Sequence, residues 1–162
     1  MEETGTTEDT VPTETVAAVT HSTFTLERRY QASLDRVFQA WATPAARRRW
    51  MAQGAEHSQD FVVGGLETVN GRDGQGRPVT YQARYDEIVP NERILTSSTL
   101  HTGDRLSTVS VTSVEFRSEH GDTWLVLTEH GIYLPGQERP EWREQGTAQQ
   151  LDNLTTELAA HA

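Results

Sequence analysis

Pro140-Glu-Trp-Arg-Glu-Gln-Gly-Thr-Ala-Gln-Gln-Leu-Asp-Asn-Leu-Thr-Thr-Glu-Leu-Ala-Ala160 is the stretch that decides how this chain folds. Thr147, Leu151, Leu154 and Leu158 recur at steps of four, three and four, which places them on one stripe of a helix from about Pro140 to Ala160. Such a stripe must be buried, and the residues upstream offer one surface large enough. Beyond Met51 the pattern has period two, broken by turn residues at Gly64-Gly65, Gly71 to Gly76, Pro90-Asn91, Gly103 and Gly121. These breaks predict five or six strands, the clearest being Val79 to Val89, Arg93 to Leu100, Ser107 to Phe116 and Thr123 to His130. Connections this short make neighbouring strands antiparallel, and the helix is expected to lie across one face of the sheet.

Before the sheet, Phe24, Leu26 and Tyr30 alternate with Thr25, Glu27 and Arg29, the period of a half-buried strand, with Arg28 interrupting the apolar face. Ser33 offers an N-cap to a short helix carrying Val37, Phe38 and Trp41 on one face. Thr43-Pro44 starts a second short helix, because proline is favoured at the first helical position, and this one ends with Trp50 and Met51. Residues 1–20 carry five acids and no base and read as a disordered acidic tail, so residues 21–162 are expected to form one domain.

Composition excludes whole classes of chemistry. The 162 residues include no cysteine, which removes thiol catalysis, disulfides and thiolate metal sites. All 14 basic residues are arginine, so lysine Schiff bases and phosphate-loop lysines are excluded as well. A net charge of −10 disfavours nucleic acid, and the cluster Arg47 to Arg49 is too short to reverse that. The N-terminal residues show no basic segment followed by an apolar run, and no apolar stretch reaches membrane-spanning length, so the expected location is cytoplasmic. The histidines show no metal-ligand spacing, no Gly-x-Ser-x-Gly elbow occurs, and the glycines from 71 to 76 read as a hairpin turn. Neither a metal nor another cofactor is expected.

Several segments carry a family resemblance. Ser33-Leu-Asp-Arg-Val-Phe-Gln-Ala-Trp-Ala-Thr-Pro with Trp50 following, Asp60-Phe-Val-Val-Gly-Gly, and Tyr85-Asp-Glu-Ile-Val-Pro-Asn-Glu-Arg-Ile stand in order along the chain. They are followed by Val111-Thr-Ser-Val-Glu-Phe, Gly121-Asp-Thr-Trp-Leu-Val-Leu-Thr-Glu-His-Gly, and the closing Gly146 with its leucines. This resembles the SRPBCC (START-like, birch-pollen-allergen-like) superfamily, in the branch related to the activator of the ninety-kilodalton heat-shock chaperone's ATPase. The resemblance implies an α+β helix-grip fold, a curved antiparallel sheet of six to seven strands wrapped around the long C-terminal helix. It also implies a cavity between the two, opening near Trp50 and Met51. Two departures concern that cavity: Thr147 stands where the family usually has an aromatic residue, and the turn after the second helix reads Trp50-Met51-Ala52-Gln53-Gly54.

Alternation selects the residues that face such a cavity. With Leu125 and Leu127 inward, Glu129 points inward and Trp124 outward; desolvation would make Glu129 a weak candidate for a general acid or base, unless it pairs with an arginine such as Arg143. Tyr81, Ala83, Tyr85 and Glu87 share a face of the longest strand, and the phenols would suit ligand contact. Thr96, Ser98, Ser110 and Thr112 fall on the faces marked inward by Ile94, Val114 and Phe116, unless a bulge reverses the parity. Trp41 reads as core. The leading expectation is a binder of a small hydrophobic or amphipathic molecule, monomeric or homodimeric. The alternatives are a cyclase- or dehydratase-type enzyme using Glu129, and a chaperone-accessory or regulatory protein making contact through a surface such as Trp124. Single-domain length sets the expectation away from the full eukaryotic chaperone activator, which has a further domain.

Overall fold

The computed structural model describes residues 18–161, so the expected acidic tail lies almost wholly outside the described residues, although Thr20 itself already begins the first strand. The elements follow one another as β1 (Thr20–Tyr30), α1 (Leu34–Ala42), α2 (Pro44–Arg47), a π-helical turn (Arg48–Ala52), β2 (Glu56–Gln59), β3 (Leu66–Arg72), β4 (Pro78–Val89), β5 (Arg93–Thr102), β6 (Arg105–Glu119), β7 (Asp122–Tyr133) and α3 (Pro140–Ala160). Strands β2 to β7 form an antiparallel meander, and β1 closes it by pairing with β7, giving the order β1-β7-β6-β5-β4-β3-β2. This is the expected helix-grip arrangement. Among the described residues no helix is long and apolar enough to cross a membrane.

Local chemistry accounts for the boundaries. The Ser33 hydroxyl accepts from the Arg36 N–H at 3.3 Å to start α1, and Pro44 opens α2. The β6–β7 hairpin turns through His120 and Gly121, both with positive φ (51° and 85°), as a two-residue turn matched to strand twist requires. Gly65 is fixed by space: a Cβ there would stand 2.1 Å from the Asp60 carbonyl oxygen. Its own carbonyl accepts from the Tyr85 N–H (3.0 Å) while Gly64 N–H donates to the Tyr85 carbonyl (2.7 Å), which pins this loop to β4. Gly65→Ala is therefore expected to cost about 1–3 kcal/mol, since backbone must move to admit the methyl. A urea midpoint equal to wild type would show that the loop relaxes freely.

Two bulges bend the sheet and change which residues face inward. Tyr85 pairs with Thr96 but Glu87 with Leu95, so Asp86 is the extra residue on β4. This corrects the placement of Glu87 on the face of Tyr81, Ala83 and Tyr85: past the bulge Ile88 packs against the core, and Glu87 pairs with Arg93 instead. A second shift, where Leu100 pairs with Thr108 and His101 with Leu106, makes Ser107 the extra residue on β6. Both Ser107 and Thr108 become fully buried.

The core joins both sides of the grip. Phe24, Ile94, Val114, Phe116, Leu125 and Leu127 come from the sheet, Val37, Phe38 and Trp41 from α1, and Leu151 and Leu154 from α3. The C-terminal half of α3 is tied down by polar contacts as well as by its leucines. Tyr30 Oη donates to the Leu151 carbonyl (2.8 Å), Arg36 to the Leu158 carbonyl (2.7 Å), and Asn153 to the Trp50 carbonyl (3.3 Å). Its first turns, from Pro140 to Thr147, carry no buried residue. The helix is thus anchored at one end and stands off the sheet at the other.

Candidate functional site

Where α3 stands off, a cavity of about 270 Å³ opens between its first turns, the π-helical turn and the concave face of the sheet. At ~30 Å³ per water this is room for about nine waters, enough for a small organic molecule. Its apolar wall includes Trp41, Trp50, Ile94, Val114, Leu127 and Leu151. Strand pairing orders part of the floor: Tyr85, Thr96, Thr112 and Glu129 are successive cross-strand partners over β4, β5, β6 and β7. Two buried ion pairs flank this row, one reaching it from β3 and one from β7.

The first is Arg47 with Glu67. Arg47 Nε and Nη2 donate to the two carboxylate oxygens at 2.9 Å each, and His57 Nε2 lies 3.0 Å from Oε2. The guanidinium carbon sits 4.5 Å from the Trp41 ring centre and 4.8 Å from that of Trp50, while the two indoles meet edge to face at 4.9 Å. Burial alone would raise the Glu67 pKa, but the Arg47 charge, and then His57, hold it down at about 2. Trp50 is oriented by its own N–H, which donates to the Ala40 carbonyl at 2.8 Å.

The second cluster is built around Arg143 on α3. Its Nε donates to Glu129 Oε1 at 2.8 Å, Nη2 to Ser110 Oγ at 3.3 Å, and Nη1 lies 3.7 Å from Glu138 Oε2. Thr112 donates to the other Glu129 oxygen at 3.0 Å. Glu138 is seated by the β6 bulge: Thr108 Oγ1 donates to its Oε2 (2.8 Å) and its N–H donates to Ser107 Oγ (3.2 Å). Burial pushes the Glu138 carboxyl above the ordinary range, with Glu129 adding to the rise against the lowering effects of Arg143 and Thr108. The ring of Tyr81 lies under the Arg143 guanidinium at 5.5 Å, and burial raises its phenol.

Of the residues singled out from sequence, Trp50, Met51, Tyr81, Tyr85, Thr96, Thr112, Glu129, Arg143 and Thr147 all border this cavity. Ser98 and Ser110 do not; they are buried behind its lining, hydrogen-bonded to each other at 2.7 Å. Glu129 is not an isolated carboxylate in an apolar pocket, since Arg143 and Thr112 occupy both of its oxygens. Tyr85 Oη accepts from Gln59 Nε2 at 2.8 Å. Sequence reasoning missed Arg47, Glu67, Glu138 and Trp142 as lining residues. Among the described residues no cluster of three or more His, Asp or Glu is arranged to hold a metal ion.

An open antiparallel sheet gripping one helix over a mostly apolar cavity defines the START-like class. Within it, residues 31–159 match the family described as activator of Hsp90 ATPase homolog 1-like protein, and the chain belongs to that family. A solved protein of Rhizobium leguminosarum shares 36% identity over 89% of this chain and 98% of its own, with a TM-score of 0.85. The Mll3558 protein of Rhizobium loti shares 41% identity over 86% of this chain and 99% of its own, with a TM-score of 0.81. Protein CV1439 of Chromobacterium violaceum is 26% identical over 83% of this chain and 94% of its own, with a TM-score of 0.70. Among curated proteins none matches this chain.

Proposed function

We propose that this protein binds a small, largely apolar molecule in the cavity between sheet and helix. The observation that carries the reading is the cavity itself: about 270 Å³, walled by three tryptophans and aliphatic side chains, with both of its guanidinium groups paired to carboxylates. Convergent polar groups in a mostly apolar hollow are the general form of a small-molecule site. Family membership agrees with it, since helix-grip folds of this type commonly enclose such ligands. A ligand present at a hundred times its Kd should stabilise the fold by about 2.7 kcal/mol. The direct test is thermal unfolding with a panel of apolar and amphipathic compounds, followed by Glu129→Gln. Binding predicts that the ligand-induced rise in melting temperature persists in the variant. A panel that never shifts the melting temperature would remove this reading.

Proton transfer to a bound ligand is a second reading, and Glu138 favours it more than Glu129 does. It borders the cavity, burial raises its pKa, and one of its oxygens is unengaged by Thr108 or Arg143. Turnover of a panel compound that Glu138→Gln abolishes while affinity holds would support it. A chaperone-accessory role draws no support from Trp124, which is half-buried on the outer face, in register between Arg29 and Arg117.

A further inference from the structure

The cavity is lined by two guanidinium groups and three carboxylates, Arg47 and Arg143 against Glu67, Glu129 and Glu138. Each cation is already committed to a carboxylate, and the carboxylates outnumber the cations. Arg47 spends its Nε and Nη2 on Glu67, with Trp41 and Trp50 within cation–π distance. Arg143 is divided between Glu129, Ser110 and Glu138, with Tyr81 under its plane. A buried anion with no partner is strongly disfavoured, and here it would also meet carboxylates.

Hydrogen-bond donors fare differently. Glu138 makes both its contacts, to Thr108 and to Arg143, through Oε2, which leaves Oε1 to accept. A hydroxyl or an ammonium group can donate to it.

We propose that the cavity selects a compact apolar molecule bearing a hydroxyl or ammonium group, received by Glu138 Oε1, and rejects anionic amphiphiles such as carboxylates. Resting on the reading that the cavity binds a small molecule at all, this inference adds the ligand's charge class. Neutral protonated Glu138 would leave two carboxylates against two guanidinium groups, each guanidinium still paired with a carboxylate.

The test uses the full chain at pH 7 and three matched probes, 2-naphthylmethanol, 2-naphthylmethylamine and 2-naphthoate, titrated by calorimetry and thermal shift. The alcohol and the amine are expected to bind at least about tenfold more tightly than naphthoate. Glu138→Gln should narrow that gap by strengthening naphthoate and weakening the amine. If naphthoate binds wild type as tightly as the alcohol, the charge selection is wrong while the binding reading stands. If Glu138→Gln leaves all three ratios unchanged, Glu138 is not the receiving group and the proposal falls. If no probe binds, the cavity reading fails and takes this inference with it. The wild-type ratio alone decides the matter should the variant fold poorly.

Discussion

Arg47→Ala is expected to lower folding stability by about 3–5 kcal/mol, a large fraction of what a domain of this size possesses. The reason is what it leaves behind. Glu67 is 1% exposed, and its carboxylate would lose both guanidinium hydrogen bonds and keep only the contact with His57. The cation–π contacts to Trp41 and Trp50 would go at the same time. Removing both charges at once should behave differently: Arg47→Met with Glu67→Leu is expected to recover most of the loss, because an apolar pair of similar volume incurs no desolvation penalty. The measurement is urea unfolding of Arg47→Met, Glu67→Leu and the double, read as a double-mutant cycle. Additive losses would mean that the pair is not coupled and that this view of the cavity wall is mistaken.

The same pair sets an acid limit. Glu67 titrates at about 2 in the fold against an ordinary 4.5, so the folded state holds the ionised form more tightly than the unfolded chain does. Its contribution is present above the ordinary carboxylate range and drains away as pH falls through that range toward the folded-state value. Glu67→Gln should therefore be less stable than wild type near neutrality and show a flatter acid limb.

Which parts of this architecture could be read from residues alone depends on whether the alternation was left undisturbed. On β7 it runs unbroken through Leu125, Leu127 and Glu129, and all three are buried as the period requires. On β4 the extra residue at Asp86 breaks it, and Glu87 ends on the wrong face for that reason alone. The Ser107 bulge is the same problem in reverse: it turns two adjacent hydroxyls into the seat of Glu138, which no period of two would suggest. Glu67 is hidden more deeply. In β3 the apolar Leu66 is 47% exposed and its acidic neighbour is buried, the opposite of the usual sorting. Its partner is one of three successive arginines, and only the passage from α2 into the π-helical turn decides that Arg47 faces inward while Arg49 reaches Glu157 on α3. A pairing across twenty residues and three elements leaves no local signature.

The helix explains why there is a hollow to occupy, and Thr147 is where that explanation can be tested. Leu151 and Leu154 seat the C-terminal half of α3, whereas one turn earlier the inward positions are Arg143, Gly146 and Thr147. Thr147 spends its hydroxyl on the Arg143 carbonyl at 2.9 Å, so its side chain hugs the helix and fills little of the space before it. An aromatic ring at this position would project into the cavity. Thr147→Phe is therefore expected to weaken 2-naphthylmethanol at least about tenfold while leaving the melting temperature equal or higher, because the ring enters open space and helix propensity changes little. In a packed interior the same substitution would cost about 1–3 kcal/mol through overpacking. The two outcomes separate cleanly: a lowered melting temperature with probe affinity intact would mean that the space under α3 is not where the molecule binds. A preserved fold that no longer takes the probe would tie ligand capacity to the small residue that the first turns of this helix present to the sheet.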